Sequence, residues 1–140
     1  TDMTRMFSVG PLAEEWIQRL DDMEEIAEAL RQSLARGEDC SSAWDLGSKK
    51  ATEMGHGDHL MGMQPDQARF LGHSIGLELD ETPVIAAGFD KPLPVGGTMA
   101  IEPKVIHPDG AIGVEDCWVR TSEGLSCLSS GDDFPMYTQW

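Results

Sequence analysis

Residues 98–121 read TMAIEPKVIHPDGAIGVEDCWVRT, two strand-like apolar runs on either side of a turn signal. Pro108, Asp109 and Gly110 suit successive positions of a type I turn, so the runs fold back on each other as an antiparallel hairpin. With the turn centred between Pro108 and Asp109, Glu102 and Glu115 stand opposite each other. Directly opposed side chains on one face of such a pair have Cβ atoms roughly 4.5–5.5 Å apart. Two carboxylates at that range require a proton on one of them or a divalent cation between them. A solvated edge hairpin is the plainer alternative. Against it, Ile101 and Pro103 flank Glu102, and Val114, Trp118 and Val119 surround Glu115, which makes both segments too apolar for a water-exposed ribbon.

Upstream, residues 70–81 read FLGHSIGLELDE, a glycine-rich apolar segment that carries His73 and ends in two acids. Taken alone, His73 is a structural histidine; with two facing carboxylates downstream it becomes a potential metal ligand. From Phe70 onward, short apolar runs punctuated by glycine and proline predict β structure. The first half reads differently. Leu12, Trp16, Ile17, Leu20, Met23, Ile26, Ala27, Leu30 and Leu34 recur at helical spacing, with Pro11 expected in the first turn and Gly37 as the stop. A weaker helix is predicted from about Ser41 to Met54, ended by Gly55. The opening TDMTRMFSVG alternates Met3, Arg5, Phe7 and Val9 with polar neighbours and is expected to be a strand already under way, so that the chain starts inside a larger protein. The class is α+β: two helices packed on a curved, mainly antiparallel sheet, forming one domain over residues 1–140.

Twenty-five acids against ten bases give a formal charge of −15, a field that repels phosphate backbones and anionic membrane surfaces. Nucleic acid and membranes are therefore not expected partners. Cys40, Cys117 and Cys127 form no CxxC pair and are read as reduced thiols of a cytoplasmic protein. HGDH, residues 56–59, resembles a metal-binding string but follows a helix end and is assigned to a loop; His107 is a turn residue. The eight methionines form no dense cluster and are read as core filler.

Asp2, His73, Glu102 and Glu115 together offer one imidazole and three carboxylates, a donor set that suits zinc, manganese, iron or cobalt. Two such ions a few ångströms apart can generate hydroxide from water and stabilise a carbonyl under attack. TDMTRMFSVG, GHSIGLELDE, IEPKVI and GVEDCWVRTSEG, in that order, resemble the successive metal-site motifs of the pita-bread metallopeptidases: prolidase, aminopeptidase P, methionine aminopeptidase and the non-peptidase creatinase. The likeness runs from Asp2 to about Leu128 and implies the later portion of a pita-bread catalytic domain, truncated on its N-terminal side.

By this resemblance Asp2 and Glu115 are bridging carboxylates, and His73 and Glu102 are ligands of one metal. Glu102 is also the catalytic residue that takes the proton from the attacking water. The family site holds two divalent ions. Prolidase and aminopeptidase P are the most similar members, which implies metal-activated water attacking an Xaa-Pro amide near a peptide amino terminus, in a homodimer. Three features depart from the family pattern. The family's other aspartate, a ligand of the second ion, is expected on the strand preceding the one that carries Asp2, before the sequence begins. Arg69 and Asp80 stand where histidines that contact substrate or shuttle protons are expected, and both are assigned to substrate binding. An arginine cannot accept a proton near neutral pH, and the unperturbed pKa of aspartate is far below that of histidine. Those exchanges leave two alternatives open: a creatinase-like enzyme acting on a small nonpeptide substrate, or a silent module that binds peptides.

Overall fold

A computed structural model of the chain describes residues 2–129 and 135–140. The elements run β1 (Met6–Ser8), α1 (Glu14–Ala35), α2 (Cys40–Glu53), β2 (Gly72–Ser74), β3 (Glu81–Val84), β4 (Thr98–Ile101), β5 (Lys104–His107), β6 (Gly110–Gly113), β7 (Asp116–Thr121), β8 (Gly124–Cys127) and β9 (Tyr137–Gln139). Five strands form one antiparallel sheet in the order β3-β2-β4-β7-β8, while β5-β6 and the parallel pair β1-β9 form two-stranded sheets.

The two helices have the expected pattern. Leu20, Met23, Ile26, Ala27, Leu30 and Leu34 form the buried stripe of α1 and join Leu71, Met99, Ile101 and Val105 in the core, so the long helix lies across the sheet. Gly37 closes α1 at φ +79°, with its N–H and that of Glu38 reaching back to Leu34 and Ser33, the paired bonds that satisfy a helix's last carbonyls. Gly55, at φ +85°, ends α2 in the same conformation. Among the described residues, neither helix is long and apolar enough to cross a membrane.

Pro11 is not in the first turn of α1. The Gly10 N–H donates to Trp140 O at 2.8 Å, which ties that corner to the end of β9, and the helix begins only after the extended residue Ala13. The opening segment also differs from a continuous strand. Regular pairing is confined to Met6–Ser8, with one isolated bridge from Thr4 to Glu115. Met3, Phe7 and Val9 face outward, Phe7 stacking on Trp140, while Arg5 turns inward to Asp116 at 2.6 Å. An ion pair in a half-buried setting takes the inward position that the alternation offered.

The hairpin from 98 to 121 keeps the expected register but is split. Val105 faces Ile112 and His107 faces Gly110 near the turn, and Ile101 faces Asp116 further along, all on one register. Between the two ladders lie Glu102–Pro103 and Val114–Glu115. Pro103 has no N–H to give, though its carbonyl accepts from Val114 N at 3.2 Å. Glu102 N donates to Leu71 O at 3.0 Å, and Glu115 O accepts from Thr4 N at 3.2 Å. The backbones of the two glutamates are thus bonded to different neighbours, at the place where β2, the opening segment and the hairpin meet.

Candidate metal centre

His73 lies in the middle of β2, between β3 and β4, opposite Val84 and Ala100. Gly72 allows this closeness: a Cβ there would run into the Ala100 carbonyl and the Ile85 side chain. The imidazole is 5% exposed. Its Nδ1 lies 3.1 Å from the Ser74 carbonyl oxygen, and a carbonyl can only accept, so the Nδ1–H donates there and leaves the Nε2 lone pair facing inward. Nε2 is 3.3 Å from Glu102 Oε1 and 3.6 Å from Asp2 Oδ2.

The carboxylates arrive from three segments. Asp2 is held by its backbone: its N–H donates to Cys117 Sγ at 3.2 Å, and that thiol donates to Asp2 O at 3.1 Å. Glu115, buried in the gap before β7, accepts from Thr4 Oγ1 at 2.5 Å. Burial, and after it the charges of Glu102 and Asp2, push the Glu115 carboxyl above the usual carboxylate range, opposed by the Thr4 hydroxyl and Lys104. Glu102, also buried, places Oε2 2.5 Å from Lys104 Nζ. Asp2, His73 and Glu115 offer ligand atoms that all lie within 4.8 Å of one another.

Three carboxylates and one oriented imidazole gathered in a largely buried corner carry an excess of negative charge that a divalent cation would offset. The donor set, one ring nitrogen and carboxylate oxygens at mutual separations one ion can span, fits zinc, manganese, iron or cobalt.

The structure therefore brings Asp2, His73, Glu102 and Glu115 to one place. Asp80 lies on the other side of the imidazole, its Oδ1 3.4 Å from His73 Nδ1, with a side chain 74% exposed. Arg69 is exposed and lines a separate cleft with Trp44, Gly57, Leu60 and Gln67. The HGDH segment forms the loop after α2: His56 Nε2 meets Asp22 Oδ2 at 2.7 Å, and His59 Nδ1 donates to Ile106 O at 2.9 Å. Sequence reasoning does not pick out Thr4 or Lys104. Each lies two residues from an expected ligand, Asp2 or Glu102, and the two-residue period of extended chain was the available signal.

The sequence matches metallopeptidase family M24 over residues 1–122. It is 37% identical over 78 residues to the Xaa-Pro dipeptidase of Lactobacillus delbrueckii subsp. lactis, a match covering 55% of this chain and 19% of that protein. The X-Pro aminopeptidase from Thermotoga maritima MSB8 shares its fold at a TM-score of 0.86 and 24% identity, over 100% of this chain and 38% of that one. The Xaa-Pro dipeptidase from Bacillus anthracis does so at 0.83 and 25%, over 99% and 37%. The chain spans well under half the length of the relatives it matches. It belongs to metallopeptidase family M24, and its α+β architecture is the pita-bread fold.

Proposed function

We propose that this M24-family chain carries the later part of the catalytic centre of a metal-dependent hydrolase that cuts Xaa-Pro bonds near a peptide's amino terminus. The observation that carries the reading is the meeting of Asp2, His73 and Glu115 within 4.8 Å, with Glu102 beside the same imidazole nitrogen. The family match and the likeness to proteins named Xaa-Pro dipeptidase and X-Pro aminopeptidase support the substrate class.

Asp2, His73 and Glu115 would hold a divalent ion, with zinc, manganese, cobalt and iron the candidates. Such an ion, when bound, supplies Lewis acidity: it makes water more acidic and polarises a carbonyl. The remaining work falls to the chain's own groups. Glu102 Oε1, 3.3 Å from His73 Nε2, stands at the edge of the ligand group and is the oxygen placed to take a proton from water. Lys104 fixes the other oxygen of Glu102, and Thr4 fixes Glu115. The Ser74 carbonyl holds the His73 tautomer. Asp80, exposed beside the imidazole, is positioned to meet substrate. The protein works in the cytoplasm, a setting that suits the thiols of Cys40 and Cys117. Homodimerisation is supported by the exposed apolar edge of Phe7, Val9 and Trp140.

Titrating manganese, cobalt or zinc into metal-free protein while following Xaa-Pro dipeptides and longer Xaa-Pro peptides tests this reading. Metal-dependent release of the first residue is the expected result. Cleavage of neither substrate with metal bound overturns the peptidase assignment in favour of a small nonpeptide substrate.

A further inference from the structure

The opening segment meets the residue before β7 through one isolated bridge, Thr4 with Glu115, and the same antiparallel register carried on sets Asp2 level with Cys117. The backbone of Cys117 is already engaged there. Its N–H donates to Ser129 Oγ at 2.8 Å and its carbonyl accepts from Leu128 N at 2.8 Å, so both groups are taken by the residues that follow β8. What is left for Asp2 is the thiol. Sγ accepts from the Asp2 N–H at 3.2 Å, and the S–H donates to the Asp2 carbonyl at 3.1 Å. One buried side chain thereby supplies the donor and the acceptor that a directly opposed antiparallel pair would exchange through its backbones.

We propose that Cys117 is a positioning residue of the metal centre: its thiol stands in for the ladder bonds that Leu128 and Ser129 pre-empt, and so holds the Asp2 carboxylate where it can share an ion with His73 and Glu115. The inference rests on the metal-centre reading above. The other ties of the opening segment lie further along the chain, from Thr4 to Glu115 and from Arg5 to Asp116 at 2.6 Å. Met3, which separates Asp2 from those anchors, is exposed. The Asp2 side chain is itself 28% exposed, against 6% for the His73 ring, and Glu115 is buried, so Asp2 has the most room to move of the three. A ligand so placed depends on its backbone for direction, and both backbone groups of Asp2 end on one sulfur.

Metal affinity tests this, read by calorimetric titration of Mn²⁺, an ion that prefers oxygen and imidazole to thiolate, so that direct ligation by sulfur does not enter. Cys117→Ala removes both bonds and is expected to weaken Mn²⁺ binding at least about tenfold, the range for groups that orient a ligand. Cys117→Ser keeps a donor and an acceptor at the same place and is expected to stay within about threefold of the natural protein. A residue that only filled the core would give the opposite order, because a buried hydroxyl fits an apolar site no better than alanine does. Where circular dichroism shows Cys117→Ala unfolded, Cys117→Val, which fills the space without a polar group, takes its place with the same expectation. Unchanged affinity in the apolar variant, or an equal loss with serine, overturns the role of the thiol and leaves the metal centre standing. No Mn²⁺ bound by any of the proteins overturns the metal centre and the inference with it.

Discussion

The Thr4 hydroxyl donates to Glu115 Oε2 at 2.5 Å, while the Thr4 backbone N–H donates to Glu115 O at 3.2 Å, so one residue fixes both ends of one glutamate. Val is close to Thr in shape and keeps the backbone bond. Thr4→Val is therefore expected to leave the fold intact and to let the Glu115 carboxylate rotate. Groups that orient a ligand typically contribute 10–100-fold to metal affinity. A loss of about tenfold in Zn²⁺ affinity by competition with a chromophoric chelator is expected; unchanged affinity would remove Glu115 from the ligand set.

His107 stacks on His59, with ring centroids 4.0 Å apart, and its Nε2 is buried without a hydrogen-bond partner among the described residues. Burial, then Arg19 and His59, push the His107 pKa below the ordinary histidine value, with Asp109 opposing and His56 adding to the fall. The unfolded chain therefore takes up this proton first. Stability is unaffected above the unfolded histidine pKa of about 6.5, is lost as pH falls through it, and stops falling below the lowered folded value. His107→Phe keeps a ring against His59 and removes the titration. Melting temperatures followed from pH 8 to pH 5 should fall less steeply in the variant, and identical slopes would show that His107 does not drive the loss.

The shared level of Glu102 and Glu115 in the hairpin was legible because a turn centred between Pro108 and Asp109 puts the pairs on both sides of the gap on one register, including Ile101 with Asp116. The gap itself was signalled by Pro103, which cannot donate across a ladder. What pattern could not supply was partnership at a distance. Met6–Ser8 pairs with Tyr137–Gln139, two three-residue segments at opposite ends of the chain with no periodicity long enough to announce them. Arg5 takes an inward position because Asp116 waits there, and no local rule contains that fact. Lys104 was visible two residues from Glu102, but a lysine beside a glutamate is ordinarily a surface pair; only burial of Glu102 gives it weight.

Gly72 holds β2 against β4, where any side chain would meet the Ala100 carbonyl. Backbone cannot yield as a flexible side chain can, so Gly72→Ala should force the strands apart at a cost of about 2–3 kcal/mol, near the upper range for overpacking. Because His73 is the next residue, the damage should also reach the ligand group. A lower urea midpoint together with weakened Zn²⁺ binding is the expected pair of outcomes; normal binding in a destabilised protein would mean that His73 keeps its place without a close β2–β4 ladder.

Glu102 differs from the other acids of the centre in standing outside the three-residue group that closes within 4.8 Å, while its Oε1 remains 3.3 Å from His73 Nε2. A proton acceptor and a ligand respond differently to loss of charge. Glu102→Gln keeps the shape and can still hydrogen-bond, but it cannot take a proton near neutral pH. If Glu102 serves as the base, peptide cleavage should fall by a factor of about 100 to 10,000. Affinity for the ion should change by less than about tenfold, the lower bound seen when a group merely supporting a ligand is lost. Measuring Mn²⁺ binding and Xaa-Pro cleavage on the same preparation separates the roles. A collapse of metal affinity would make Glu102 a ligand first, and would also set it against Lys104 for the use of its carboxylate.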